Sequence, residues 1–252
     1  MAINVNTVYQ TVLLILNKEQ RGYMTPTEFN SIGTQVQLEI FEKYFEDLNQ
    51  QIRIPQTETD YADRIVSLDE KIAIFKTFGN AIYVTNGALS YWTLPNSDSY
   101  GQAVELYRLG TVLYNNETEL QRLDRKEFYH VNKSLLTKPT TTYPVYLYEN
   151  QYLYVKPTSI ITAGDIQVDY IKKPTNPIWG FDVGGLGQYI YNSNLFNSAT
   201  TPTGSRNFEI HISEQTELIL KILLYAGIII RDPNIVQAAA TKVESEEINK
   251  KS

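Results

Sequence analysis

Residues 25–55 read TPTEFNSIGTQVQLEIFEKYFEDLNQQIRIP, and this stretch decides the fold class. Thr25 and Glu28 have the spacing of a capping box, and Pro26 occupies the first helical position, where its missing N–H costs nothing. Phe29, Ile32, Val36, Ile40, Phe41, Tyr44, Phe45, Leu48 and Ile52 then recur with the helical period until Pro55. At 1.5 Å per residue the predicted helix runs roughly 40 Å, longer than an ordinary globular helix. Phe41, Phe45 and Leu48 are expected to be buried against other helices. The opposite face, Glu39, Glu42, Lys43, Glu46 and Asp47, reads as solvated.

Working outward, Val5, Val8, Tyr9, Val12, Ile15 and Leu16 predict a helix over about 4–19. Beyond Pro55 a polar linker, QTETDYADR, leads into a region where the apolar period falls from 3.6 toward 2. Ile82 to Val84 and Leu89 to Trp92 flank Asn86-Gly87, a turn dipeptide of tight hairpins. Further strands are expected at 104–109, 111–114, 119–123 and 166–171, with a short helix from Asp124 to about Ser134. The clearest hairpin is VYLYENQYLYV at 145–155, alternating around Glu149-Asn150. From Trp179 to Asn207 the chain is rich in Gly, Asn and Ser and reads as a long loop, of the kind that closes a site or is ordered by a neighbour. Helices are expected again from Ser213 and from Pro233, before a charged tail. The fold class is therefore α+β, with N- and C-terminal helices packed together beside a central antiparallel β domain. Residues 1–56 and 212–252 form the helical part and 57–211 the β domain.

Composition narrows the function. The chain has 252 residues, 42% hydrophobic and 20% charged, which is globular. Nineteen tyrosines suit partly wet β surfaces. The net charge of −6 argues against a basic face that grips phosphates. Zero cysteines exclude disulfides, thiolate metal sites and cysteine nucleophiles. The N-terminal segment lacks the charge and cleavage pattern of a secretory signal, so the Asn116 and Asn132 glycosylation triplets read as chance.

No common hydrolase, nucleotide or metal signature occurs. Gly184-Gly185-Leu186-Gly187 lacks the spaced third glycine and the flanking strand and helix of a phosphate cradle, so it reads as a flexible loop. His130 and His211 could work together only if the fold joined them; separate surface or hydrogen-bonded histidines are the expected case. No catalytic, cofactor or metal residue is assigned. Two carboxylates of a glycosidase need no motif, and Tyr91, Trp92, Tyr100, Tyr107, Tyr146, Tyr148, Tyr152 and Tyr154 could stack on sugars. Cross-strand packing is the commoner use of alternating tyrosines.

Three stretches carry a resemblance: MTPTEFNSIGTQVQLEIFEKYFEDLNQ (24–50), RKEFYHVNKSLLTKPTTTYPVYLYENQYLYVKP (125–157) and ELILKILLYAGIIIRDPNIVQAAATKVESEEIN (217–249). With their order they resemble head-to-tail connector proteins, the adaptor or ring proteins below the portal of short-tailed, crAss-like phages. The resemblance implies a non-enzymatic structural virion protein without a cofactor, made in the host cytoplasm. It would sit in a twelve-fold ring of its own copies, against the portal and other tail proteins, with DNA sliding through the lumen unbound and no membrane contact. The residues expected at its interfaces are Trp179, Phe181, Tyr189, Tyr191, Leu195 and Phe196 of the long loop and Glu244, Glu246 and Glu247 of the tail. The alternative is a carbohydrate-binding or glycan-degrading β protein with helical flanks.

Overall fold

The computed structural model describes residues 2–18, 23–53, 64–86, 89–96, 103–198, 200–229, 241, 242 and 245. Among them are five helices, α1 (Val5–Lys18), α2 (Pro26–Arg53), α3 (Arg64–Ala73), α4 (Arg125–Lys133) and α5 (Gln215–Ile229), and the fold is α+β as expected. The chain divides into two compact units, Met1–Ile74 with Pro174–Ser252, and Phe75–Lys173. The boundaries expected at 56/57 and 211/212 therefore move. Two observations explain the change. Ile65, Leu68 and Ile72 carry a helical period just past the polar linker, so α3 packs on α2. Residues 174–211 likewise hydrogen-bond to the helices, Gln37 Nε2 donating to the Thr175 carbonyl (2.8 Å) and Glu209 N–H to Gln37 Oε1 (3.0 Å).

In the helical unit α1 begins where Asn4 Oδ1 accepts from the N–H groups of Asn6 (2.9 Å) and Thr7 (3.1 Å). The α2 capping box is present in both directions: Thr25 N–H donates to Glu28 Oε2 (2.8 Å) and Glu28 N–H to Thr25 Oγ1 (3.3 Å). Val8, Val12 and Leu16 of α1, Val36, Ile40 and Phe41 of α2, and Leu218, Ile222 and Ala226 of α5 are buried, and α5 packs on both earlier helices. Phe45 is buried edge-on to Phe41 with ring centres 5.1 Å apart, whereas Leu48 is only half-buried, one turn from the end of α2. The helix expected from Pro233 lies outside the described residues apart from 241, 242 and 245, which are helical.

The cap makes a quantitative prediction. Thr25→Ala is expected to cost about 1 kcal/mol at neutral pH. The Thr25 hydroxyl and, next, its N–H hold the Glu28 carboxylate below its ordinary pKa. A lowered folded value gives stability that is present above the unfolded pKa and is lost as pH falls through the folded one. Urea titrations of wild type and variant should therefore converge as pH drops below ~4. A gap that stays constant through that range would refute the cap's role.

The β unit holds two sheets, in the orders β1-β9-β4-β5 and β2-β3-β8-β7-β6. Their strands are β1 (Lys76–Asn80), β2 (Ile82–Asn86), β3 (Leu89–Thr93), β4 (Leu106–Tyr114), β5 (Thr118–Glu119), β6 (Gln121–Arg122), β7 (Val145–Glu149), β8 (Tyr152–Lys156) and β9 (Ile166–Lys172). Trp92, Val112, Leu120, Leu153, Ile166, Val168 and Tyr170 form the core. The two strands expected at 104–114 are one, kinked by a register shift between Leu109 and Val112. Gly110 sits in the kink, where a Cβ would lie 2.9 Å from the Asp169 carbonyl oxygen. The strand expected at 119–123 is instead split at buried Leu120, so that β5 joins one sheet and β6 the other. At the β7–β8 turn Asn150 and Gln151 both adopt positive φ, 52° and 63°, the mirror-image turn that matches strand twist. α4 lies over this sheet, with Phe128 packed on Val145 and Leu147.

Candidate functional site

The segment expected as an open loop is organised. β10 (Phe181–Val183) and β11 (Tyr189–Tyr191) pair antiparallel, with Phe181 opposite Tyr191 and Val183 opposite Tyr189. The Gly184–Gly187 stretch is the hairpin connection: Gly184 N–H donates to the Gln188 carbonyl, Gly187 N–H to the Gly184 carbonyl, and Gly187 has φ +79°. Its glycines serve a turn and hold no phosphate cradle.

The hairpin is rooted in the helical unit. Asn30 of α2 clamps the Trp179 backbone, accepting from its N–H (2.7 Å) and donating to its carbonyl (3.3 Å). Trp179 Nε1 donates to Asn6 Oδ1 of α1 (3.0 Å), and its ring packs on Tyr9, 4.4 Å away, and on Tyr191, 5.5 Å away. Tyr9 in turn donates to the Met24 carbonyl, and burial pushes its phenol pKa far up, so the ring stays neutral. Gly180 N–H donates to Ser205 Oγ (2.9 Å), and Ser205 Oγ–H to the Asn192 carbonyl (2.5 Å), tying both hairpin legs to the returning chain. Arg206 lies over the Phe196 ring at 4.8 Å.

These contacts separate the expected interface residues. Trp179, 5% exposed, belongs to its own unit's core and corrects the expectation that it anchors a partner. Phe181, Tyr191 and Phe196 are half-buried and brace the hairpin, Phe181 meeting Tyr189 edge-on at 4.8 Å. Tyr189 and Leu195 face outward, Leu195 being 82% exposed. The structure adds three residues that the aromatic reading missed: Val183, Ile190 and Leu186, the last 94% exposed at the turn. Leu186 between glycines in an otherwise polar run was the available signal. Beside β10 a cleft of about 380 Å³ opens between Ile178, Phe181, Val183, Pro202 and Thr203, large enough for one or two apolar side chains. Glu244, Glu246 and Glu247 lie outside the described residues.

A second cluster joins α2, α3, α5 and the turn just before α5. Lys43 pairs with Glu217 (3.0 Å), Lys71 with Glu214 (2.5 Å) and Lys221 with Glu39 (3.6 Å). Glu39 also accepts from the Tyr225 hydroxyl, which raises the phenol's pKa. Tyr44 lies among these groups, and its phenol is pushed far up by burial and by Glu214 and Glu217. Glu214 and Glu217 are buried and each is neutralised by a lysine, the arrangement of a structural lock. Glu39 and Lys43 therefore leave the solvated face, while Glu42 and Glu46 remain on it.

The two histidines belong to different units. His130 is exposed on α4, and His211 Nδ1 caps a 3₁₀ turn, Ile212–Glu214, by accepting from Ser213 N–H (3.3 Å). This turn precedes α5, which starts two residues later than the Ser213 cap predicted. Among the described residues no group of three or more His, Cys, Asp or Glu side chains could hold a metal ion, and no helix is long and apolar enough to cross a membrane. Tyr91 packs on Tyr152 (4.5 Å, 40°) and Tyr154 (6.3 Å, 58°), so these rings tilt onto one another across β3 and β8 and do not spread a flat platform. No family model matches the sequence, and no curated protein matches it.

Proposed function

We propose that this chain is a non-enzymatic, ring-forming structural subunit of a phage portal-tail connector, one that docks tail components to the portal around the DNA channel. One observation carries the reading furthest: a hairpin with exposed Val183, Leu186, Tyr189 and Ile190, flanked by exposed Leu195, on a root fixed by Asn30, Trp179 and Ser205. Exposed apolar side chains held by a rigid base are what a protein interface uses. The resemblance of the three stretches supplies the kind of assembly, and the net charge of −6 suits a lumen through which DNA slides without being held.

Leu186→Ser with Leu195→Ser is expected to change unfolding stability by less than about 0.5 kcal/mol, since both side chains already face water. The same change should abolish incorporation into particles. Native mass spectrometry and electron micrographs of wild type and variant check both statements. A wild-type chain that stays monomeric at every concentration, is absent from particles and binds glycans would reverse the reading.

A further inference from the structure

Resting on the ring reading, we infer that the exposed face of α4 and the turn after it dock onto the acidic outer stripe of α2 in a neighbouring copy. Leu135 and Leu136 are 98% and 97% exposed, side by side. The turn that holds them out is built: Thr137 N–H donates to Ser134 Oγ (3.3 Å), Tyr143 N–H to the Thr140 carbonyl (3.1 Å), and Pro139 and Pro144 are buried on either side. On α4 itself Lys126, Tyr129, His130 and Lys133 follow the i, i+3, i+4, i+7 spacing and are all exposed. With Lys138 and Tyr143, also exposed, they place cations and aromatic rings on both sides of the leucine pair along the chain. Lys126, Lys133 and Lys138 have no acidic partner among the described residues, whereas Lys43, Lys71, Lys173 and Lys221 are all in ion pairs.

Charge selects the occupant. Copies of a chain with net charge −6 repel one another, and a contact that sets a cationic patch against an acidic one offsets that repulsion. Along α2, Ser31, Gln35, Leu38, Glu42, Glu46 and Asn49 form one stripe at helical spacing. The stripe carries two carboxylates, no lysine or arginine, and half-buried Leu38 as an apolar member. Glu42 and Glu46 are exposed and have no cationic partner among the described residues. A lysine face meeting a carboxylate stripe is a heterologous contact: each copy offers one of each, which is the condition for a closed ring.

The chain has no cysteine, so single-cysteine variants are clean probes. Leu136→Cys and Glu42→Cys, mixed and oxidised, should give a cross-linked heterodimer that neither forms alone. Leu136→Cys homodimers would mean a two-fold contact and overturn the inference, as would no cross-link in an assembling mixture. Changing Lys126, Lys133 and Lys138 to Glu should lower the assembled fraction at least about tenfold with an unchanged thermal melt. Adding Glu42→Lys and Glu46→Lys to that variant should restore assembly. A triple variant that assembles normally defeats this interface and leaves the ring reading standing; a wild type that never assembles defeats both. Flotation with anionic phosphatidylglycerol vesicles that depends on the same lysines would show a lipid surface as the occupant and overturn the inference.

Discussion

Replacing Trp179 with alanine should lower the unfolding free energy by about 3–5 kcal/mol, the cost of emptying a large aromatic site in a well-packed core. The indole is 5% exposed and packs at a tilt on Tyr9 from α1 and Tyr191 from β11. Its removal also leaves Asn6 Oδ1 without the indole N–H. Trp179→Phe keeps the ring contacts and loses the hydrogen bond, so it should cost nearer 1 kcal/mol. Urea unfolding followed by circular dichroism separates these outcomes. The only other tryptophan, Trp92, is in the β unit, so indole fluorescence then reports that unit alone in either variant. A loss under about 1 kcal/mol for the alanine variant would place the indole at a surface and restore it to the interface set.

Gly180→Ala is the second large effect, and it acts through backbone. A Cβ at Gly180 would lie 2.2 Å from the Thr203 carbonyl oxygen and 2.3 Å from that of Gly204. Neither is the end of a flexible side chain, so the two chain segments must separate and break the Gly180 N–H to Ser205 Oγ bond. The expected cost is about 3 kcal/mol, at the upper end of the usual overpacking range. Hydrogen exchange over 181–205 should accelerate while exchange in the β unit is unchanged. Gly185→Ala is the control: nothing lies within 4 Å of the added atom, and stability should move by less than about 0.5 kcal/mol. If Gly180→Ala proved equally silent, the hairpin root would be loose and a rigid docking finger untenable.

The helical frame was legible because its signals are local. The Thr25 to Glu28 box, the apolar period of α2 and the Asn150 turn each rest on neighbouring residues, and each is present in the structure. What escaped the sequence depended on distant partners. Glu39 and Lys43 look like any charged helix face until α5 supplies Lys221 and Glu217. Trp179 reads as a free aromatic because Asn6 and Asn30, which fix it, lie about 150 or more positions earlier in the chain. The hairpin at 181–191 hides because its strands are short and its turn glycine-rich, which resembles plain loop composition. Of the residues expected at an interface, Tyr189 and Leu195 are exposed, while Leu186, outside that set, is more exposed than either, a property set by the braced hairpin and not by residue type.

The β unit is an insertion whose two ends meet: β1 pairs with β9, and Lys172 N–H donates to the Phe75 carbonyl. During translation this arrangement fixes an order of events. All of the β unit's partners have been made by residue 173, so its ladders can close early. α1 and α2 are made first yet pack on α5, which is among the last elements to emerge. At ribosomal speeds of 5–20 residues per second, the ~175 residues between the ends of α2 and α5 take about 10–35 s to synthesise. For that interval α1 and α2 lack the helix that packs on both of them. The nascent helical pair is thus a natural client for chaperones at the ribosome exit, and slower growth temperatures or chaperone co-expression should raise the soluble yield.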